Sequence, residues 1–109
     1  MRGPDDADLA AGFAAGDEAA VRAVYSRYAG PIVTVAMGTL GKRELADEVV
    51  QTTMLKAWRA AASFDPSRDL APWLYAIARR VAIDIYRRES RAGTPEELTD
   101  DRAAVVPLS

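Results

Sequence analysis

The chain has 109 residues, half of them apolar, and a net charge of -2, which suits one compact domain and excludes a basic coat for nucleic acid; any grip on a polyanion must come from locally concentrated arginines. With no cysteine and no histidine, disulfides, thiolate nucleophiles, the usual zinc sites and the commonest general base are excluded. Gly, Pro or charge interrupts every apolar run well short of the roughly 20 residues of a membrane span, and the opening MRGPDDADLA has no signal-type apolar core, so a cytoplasmic protein without membrane contact is expected.

Helix signals dominate along the chain and strand signals are scarce. In GDEAAVRAVYSRYAGP, Asp17 follows Gly16 as an N-cap, Val21, Val24, Tyr25 and Tyr28 fall at helical spacing, and Gly30 is expected to end the element. Pro31 suits the first position of a second helix, PIVTVAMGTLG, closed by Gly38 and Gly41. The β-branched run inside it is also compatible with a buried strand, and its place between two helices favours helix. A third helix is predicted from Lys42 to about Ser63. FDPSRDLAP then reads as a loop, with Pro66 and Pro72 as breakers and Asp69 as the cap of a fourth helix that begins near Leu70 and runs to about Ser90. After Arg91, AGTPEELTDDRAAVVPLS loses amphipathic periodicity and carries four acids against one arginine, which reads as a disordered acidic tail or linker. The expectation is an all-α protein, a small bundle of about four helices over 1–91 with 92–109 as the tail, and no internal repeat.

Two helices carry the informative surfaces. On the third, Leu45, Val49, Val50, Met54, Ala57 and Trp58 spread over one broad apolar side, and Glu44, Glu48, Gln51, Thr52 and Arg59 over the other. Leu55 falls among the polar residues. A lone exposed leucine is ordinary, but an apolar anchor ringed by polar groups is also how a docking helix concentrates binding energy. On the fourth, Trp73, Leu74, Ile77, Ala78, Val81 and Ile85 form an inward stripe, while Tyr75, Arg79, Arg80, Ile83, Tyr86 and Arg87 face away and Arg88 and Arg91 finish the helix. Cations in a last turn satisfy the helix dipole, which accounts for Arg87 and Arg88 but not for Tyr75, Ile83 and Tyr86. Aromatics interleaved with arginines suit single-stranded nucleic acid, where rings stack on unpaired bases and guanidinium groups hold phosphates.

The run ELADEVVQTTMLKAWRAAASFDPSRDLAPWLYAIARRVAIDIYRR resembles region 2 of bacterial sigma factors of the extracytoplasmic-function group, small alternative initiation subunits of RNA polymerase. The pieces VVQ...LKAW, FDP, PWLYAIAR and AIDIYRR carry the likeness jointly, by order and spacing, over roughly Asp17 to Arg91. The resemblance implies that the third helix docks on the clamp helices of the polymerase's largest subunit through Glu48, Gln51, Leu55 and Arg59. It implies that the loop Phe64–Ala71, with Phe64, Arg68 and Asp69, and the fourth helix, with Tyr75, Arg79, Arg80, Ile83, Tyr86 and Arg87, open the promoter minus-ten element and hold an unstacked base of the nontemplate strand. No catalytic residue, metal or cofactor is implied, and an anti-sigma protein covering both faces is an expected partner. The chain differs from the common family pattern at Thr52, where an acid is usual, at Met54, where an aromatic is usual, and at Arg80, where Asn is usual. Members carry a second, helix-turn-helix domain, so the chain reads as a fragment of a longer factor or as a single-domain version.

Three other classes compete with this reading. A helix-turn-helix module would read duplex DNA and should lack the aromatic outer face. A helical adaptor binding only protein would use Leu55 and leave the arginines as solubilising charge. A carboxylate enzyme would have to rely on Asp47 with Glu48, or Glu96 with Glu97, adjacent pairs that diverge on a helix or sit in the tail, with no histidine to assist.

Overall fold

The computed structural model describes residues 6–92; the tail expected over 92–109 lies, apart from its first residue, outside them. Four α-helices follow in the order α1 (Asp6–Ala14), α2 (Glu18–Leu40), α3 (Arg43–Arg59) and α4 (Leu70–Ala92), with a 3-10 turn at Ala61–Ser63 and no strand among the described residues. The all-α expectation holds, but the four helices are not the four that the sequence suggests.

α1 has no counterpart in the sequence reading. It is too short for periodicity to announce itself, yet Leu9, Ala10 and Phe13 are all buried. It lies against α2 at Gly12, where an added Cβ would sit 2.8 Å from the Cβ of Ala20.

The largest correction concerns α2. Gly30 and Pro31 do not separate two helices; one helix runs through them to Leu40. Proline removes one backbone donor and crowds the preceding turn, a cost of about 3 kcal/mol in a helix interior. Burial of an unbroken row at every fourth position offsets it: Ala20, Val24, Ile32, Ala36 and Leu40 are buried and Tyr28 packs against the same cluster. A row of this kind is a single packing ridge, and splitting it at residue 30 would remove half from the core. Gly38 does not stop the helix either. Gly41 does, in the left-handed conformation at φ 74, with its N–H donating to the Met37 carbonyl.

The third element is shorter than expected. α3 ends at Arg59, and the chain tightens into the 3-10 turn, with the Ser63 N–H and hydroxyl both donating to the Ala60 carbonyl. Its buried line is Ala46, Val49, Val50, Thr53 and Ala57, so small residues occupy the seam that Trp58 was expected to share. Trp58 is instead 55% exposed. Pro72, expected in the loop, lies in the first turn of α4, where no intrahelical acceptor awaits its missing N–H. Along α4 the inward stripe holds: Leu74, Ala78, Val81 and Ile85 are buried, joined by Leu70 and Ala82, with Trp73 and Ile77 half-buried at its edge. α4 packs on both α2 and α3, and these two pack on each other.

Candidate polymerase and nucleic-acid interfaces

The loop between the 3-10 turn and α4 is held from both ends. Phe64, expected to face nucleic acid, is buried, its ring centroid 4.8 Å from that of Trp73; Trp73 in turn meets Phe13 of α1 at 6.0 Å, edge to face. These rings anchor the loop to α1 and α4, so Phe64 fixes where the loop lies rather than presenting its face. Beyond it, the Ser67 N–H and hydroxyl both donate to the Asp65 carboxylate at 3.0 and 2.8 Å, and the Arg68 N–H donates to the Asp65 carbonyl. The bonds from Ser67 hold the Asp65 carboxyl below the usual carboxylate range.

The anchored loop is flanked by two recesses. One, of about 740 Å3, is bounded by Phe64, Asp65, Pro72 and Trp73. The other, of about 400 Å3, lies on the side of α1 and Tyr28. Arg68 and Asp69 are exposed and line both, so the charged residues expected from the loop do come together around concave space.

On α4, Arg79, Arg80, Arg87 and Arg91 are exposed and form no ion pair with a described residue. The aromatic part of the expected face is displaced. Tyr75 is half-buried and meets Tyr28 edge-on at 5.9 Å, and Tyr86 packs against the core. Both rings are drawn toward the core beside Arg79, and Ile83 is half-buried. Arg80 turns toward α3, where it lines a recess of about 360 Å3 with Lys56, Ala60, Trp73, Ile77 and Val81. Lys56 escaped the sequence reading because a single lysine on a polar helix face carries no signal; only the crossing of α3 and α4 makes it a second cation opposite Arg80.

The outer side of α3 has a different character. Leu55 is 44% exposed and Trp58 55%, and Gln51 and Arg59 are exposed beside them. Next to Gln51, a recess of about 560 Å3 runs between α3 and α2, lined by Tyr25, Val33, Arg43 and Asp47. Glu48 is not free on this face. Arg88 reaches it from α4 with a forked pair of hydrogen bonds, 2.7 Å from Nη1 to Oε2 and 3.1 Å from Nη2 to Oε1, and bonds Glu89 as well. The bond from Arg88 holds the Glu48 carboxyl below the ordinary glutamate range, and the two carboxylates push the Arg88 guanidinium up. Arg88 therefore clamps α4 to α3 rather than merely ending a helix.

These pairings bear on the enzyme alternative. Asp47 is engaged by Arg43 at 2.9 Å and Glu48 by Arg88. Among the described residues no group of acidic side chains could hold a metal ion, and no helix is long and apolar enough to cross a membrane.

Residues 24–92 match the family model for sigma-70 region 2. The chain belongs to the sigma-70 region 2 family. It is 35% identical over 101 residues to the ECF RNA polymerase sigma factor SigL of Mycobacterium tuberculosis, covering 83% of this chain and 56% of that protein. It is 38% identical over 87 residues to the RNA polymerase sigma factor CnrH of Cupriavidus metallidurans, covering 77% of this chain and 45% of the relative. The chain thus spans about half the length of the curated relatives it matches. In three dimensions it is similar to an engineered region 2 of sigmaE, solved by NMR in complex with GTAAAA, with a TM-score of 0.74 and 28% identity over 84% of this chain and 97% of that one.

Proposed function

We propose that this region 2 domain acts in transcription initiation: the outer side of α3 docks on core RNA polymerase while the loop and α4 capture the nontemplate strand of the promoter minus-ten element. The observation that carries the reading is the row of α4 arginines that pair with no described residue, with Arg80 in the α3–α4 recess that shares Trp73 with the recess of the anchored loop. The similar engineered sigmaE region 2 was solved in complex with GTAAAA, which supports binding of a short nucleic-acid strand by this domain. Arg79, Arg80 and Arg87, with Lys56, hold phosphates; Arg68 and Asp69 line the space for an extruded base; Arg80, opposite Lys56, influences which base is accepted. Phe64, Tyr75, Ile83 and Tyr86 act by shaping and supporting this surface. Extrusion costs a few kcal/mol, which phosphate contacts from the arginines and a fitted recess offset, so binding alone can open the strand without a hydrolytic step.

On α3, Leu55 is the anchor for the clamp helices of the polymerase's largest subunit, with Trp58 extending the apolar patch and Gln51, Arg59 and the Glu48–Arg88 pair as its polar surround. In this reading 1–91 is the domain and 92–109 the linker or tail of a cytoplasmic factor, and an anti-sigma protein would silence it by covering both faces. The test is binding of core polymerase with this chain to minus-ten nontemplate single strand and to the same sequence as duplex. The single strand should bind more tightly, and each arginine removed should flatten the dependence of log affinity on log salt by roughly 0.7. A variant carrying Arg79→Ala, Arg80→Ala and Arg87→Ala that opens promoters with unchanged salt dependence would refute the assignment.

A further inference from the structure

We infer that the acidic segment Glu96–Asp101 binds the arginine face of α4 when no nucleic acid is present. The face carries more positive than negative charge. Arg79, Arg80, Arg87 and Arg91 pair with no described residue, and Lys56 adds a further cation beside Arg80. The acids within reach on the folded domain fall short of neutralising them: Asp84 is a single carboxylate one turn from both Arg80 and Arg87 and forms no ion pair with a described residue, while Glu48 and Glu89 are both taken by Arg88. A chain of net charge -2 therefore has a local excess of positive charge along one helix. The missing negative charge follows directly in sequence, as Glu96, Glu97, Asp100 and Asp101, with Arg102 the one cation after Arg91.

Reach and direction fit this occupant. α4 ends at Ala92, and at about 1.5 Å rise per residue Arg87 lies roughly 8 Å and Arg80 roughly 18 Å back along it. An extended chain covers about 3.3–3.6 Å per residue, so Glu96 can reach about 13 Å and Asp101 about 30 Å from Ala92. Glu96 and Glu97 can thus meet Arg87 and Arg91, and Asp100 and Asp101 can meet Arg79 and Arg80. Single exposed ion pairs are weak, but tethering holds the segment at a local concentration of order millimolar, so several weak pairs act together.

If α4 also holds the nontemplate strand, as proposed above, the segment competes with it; that consequence rests on the previous reading, whereas the contact does not. The chain has no cysteine, so Leu98→Cys in the full chain accepts a single nitroxide label. Amide signals of α4 around Arg79–Arg87 should broaden at about 0.01 M salt and recover at about 1 M, where the screening length falls to about 3 Å. They should also recover when Glu96→Gln, Glu97→Gln, Asp100→Asn and Asp101→Asn are added. Unbroadened α4 signals at low salt overturn the inference and leave the nucleic-acid reading intact. In the second arm, the unlabelled fourfold variant should bind minus-ten single strand about 3- to 10-fold more tightly than the parent chain at low salt, with the gap narrowing as salt rises. Equal affinity of the two chains overturns the competition. Failure of both to bind, with the broadening present, refutes the nucleic-acid reading and leaves the contact standing.

Discussion

The same substitution should have opposite effects at two glycines, because the space around them differs. Gly12→Ala places a methyl 2.8 Å from the Cβ of Ala20, whereas apolar carbons rest at about 3.5–4.0 Å. Ala20 Cβ is fixed to its backbone, so α1 must move away from α2 by roughly 1 Å. Overpacking of this kind costs about 1–3 kcal/mol, and alanine's better helix propensity returns about 1 kcal/mol, which leaves a net loss of order 1 kcal/mol. Gly38→Ala meets nothing within 4 Å on the exposed side of α2, so it keeps the propensity gain and should stabilise by about 1 kcal/mol. In a domain of this size, 1 kcal/mol corresponds to about 4–8 °C in Tm, down for one variant and up for the other, readable by circular dichroism. Because α1 holds the loop through Phe13 and Trp73, Gly12→Ala should also weaken single-strand capture, and Gly38→Ala should not. A rise in Tm for Gly12→Ala would refute the close α1–α2 approach.

Leu55→Asp should abolish association with core polymerase while leaving helicity unchanged, since it puts a charge in the centre of a face that must desolvate. Trp58→Ala should weaken the same association tenfold or more, the loss of about 1.4 kcal/mol or more typical of a buried aromatic anchor, and unchanged binding in a pull-down would remove these residues from the interface. Glu48→Gln tests the α3–α4 clamp through pH. The folded-state carboxyl is depressed, so its contribution is present above the unfolded pKa and lost as pH falls through the folded one. The parent chain should therefore lose its advantage over the variant in urea titrations as pH falls through and below the ordinary glutamate range, by at most about 1 kcal/mol for a pair this exposed. Thr53→Val removes a fully buried hydroxyl that has no hydrogen-bond partner among the described residues, so it should stabilise by about 1 kcal/mol; a destabilised variant would show that the hydroxyl is satisfied.

How much of this could be read without coordinates depends on the range of the interactions involved. Local periodicity suffices for α4, where Leu74, Ala78, Val81 and Ile85 are buried as their spacing requires. It also suffices for the helix-ending role of Gly41, whose left-handed conformation suits a residue without a side chain, and for the exposure of Leu55 and Arg79. The order of four short motifs carried the family, because a joint pattern is specific even when its parts are not. Tertiary packing decided the rest. It carried α2 through Gly30 and Pro31, since a buried ridge outweighs a local penalty, and it made α1 a helix although nine residues are marginal alone. It chose Ala57 over Trp58 for the core because a seam between close helices admits a methyl and not an indole. It also took Phe64 inward to Trp73 and joined Glu48 to Arg88 across 40 residues of sequence, partnerships that neither residue's own helix or loop can specify.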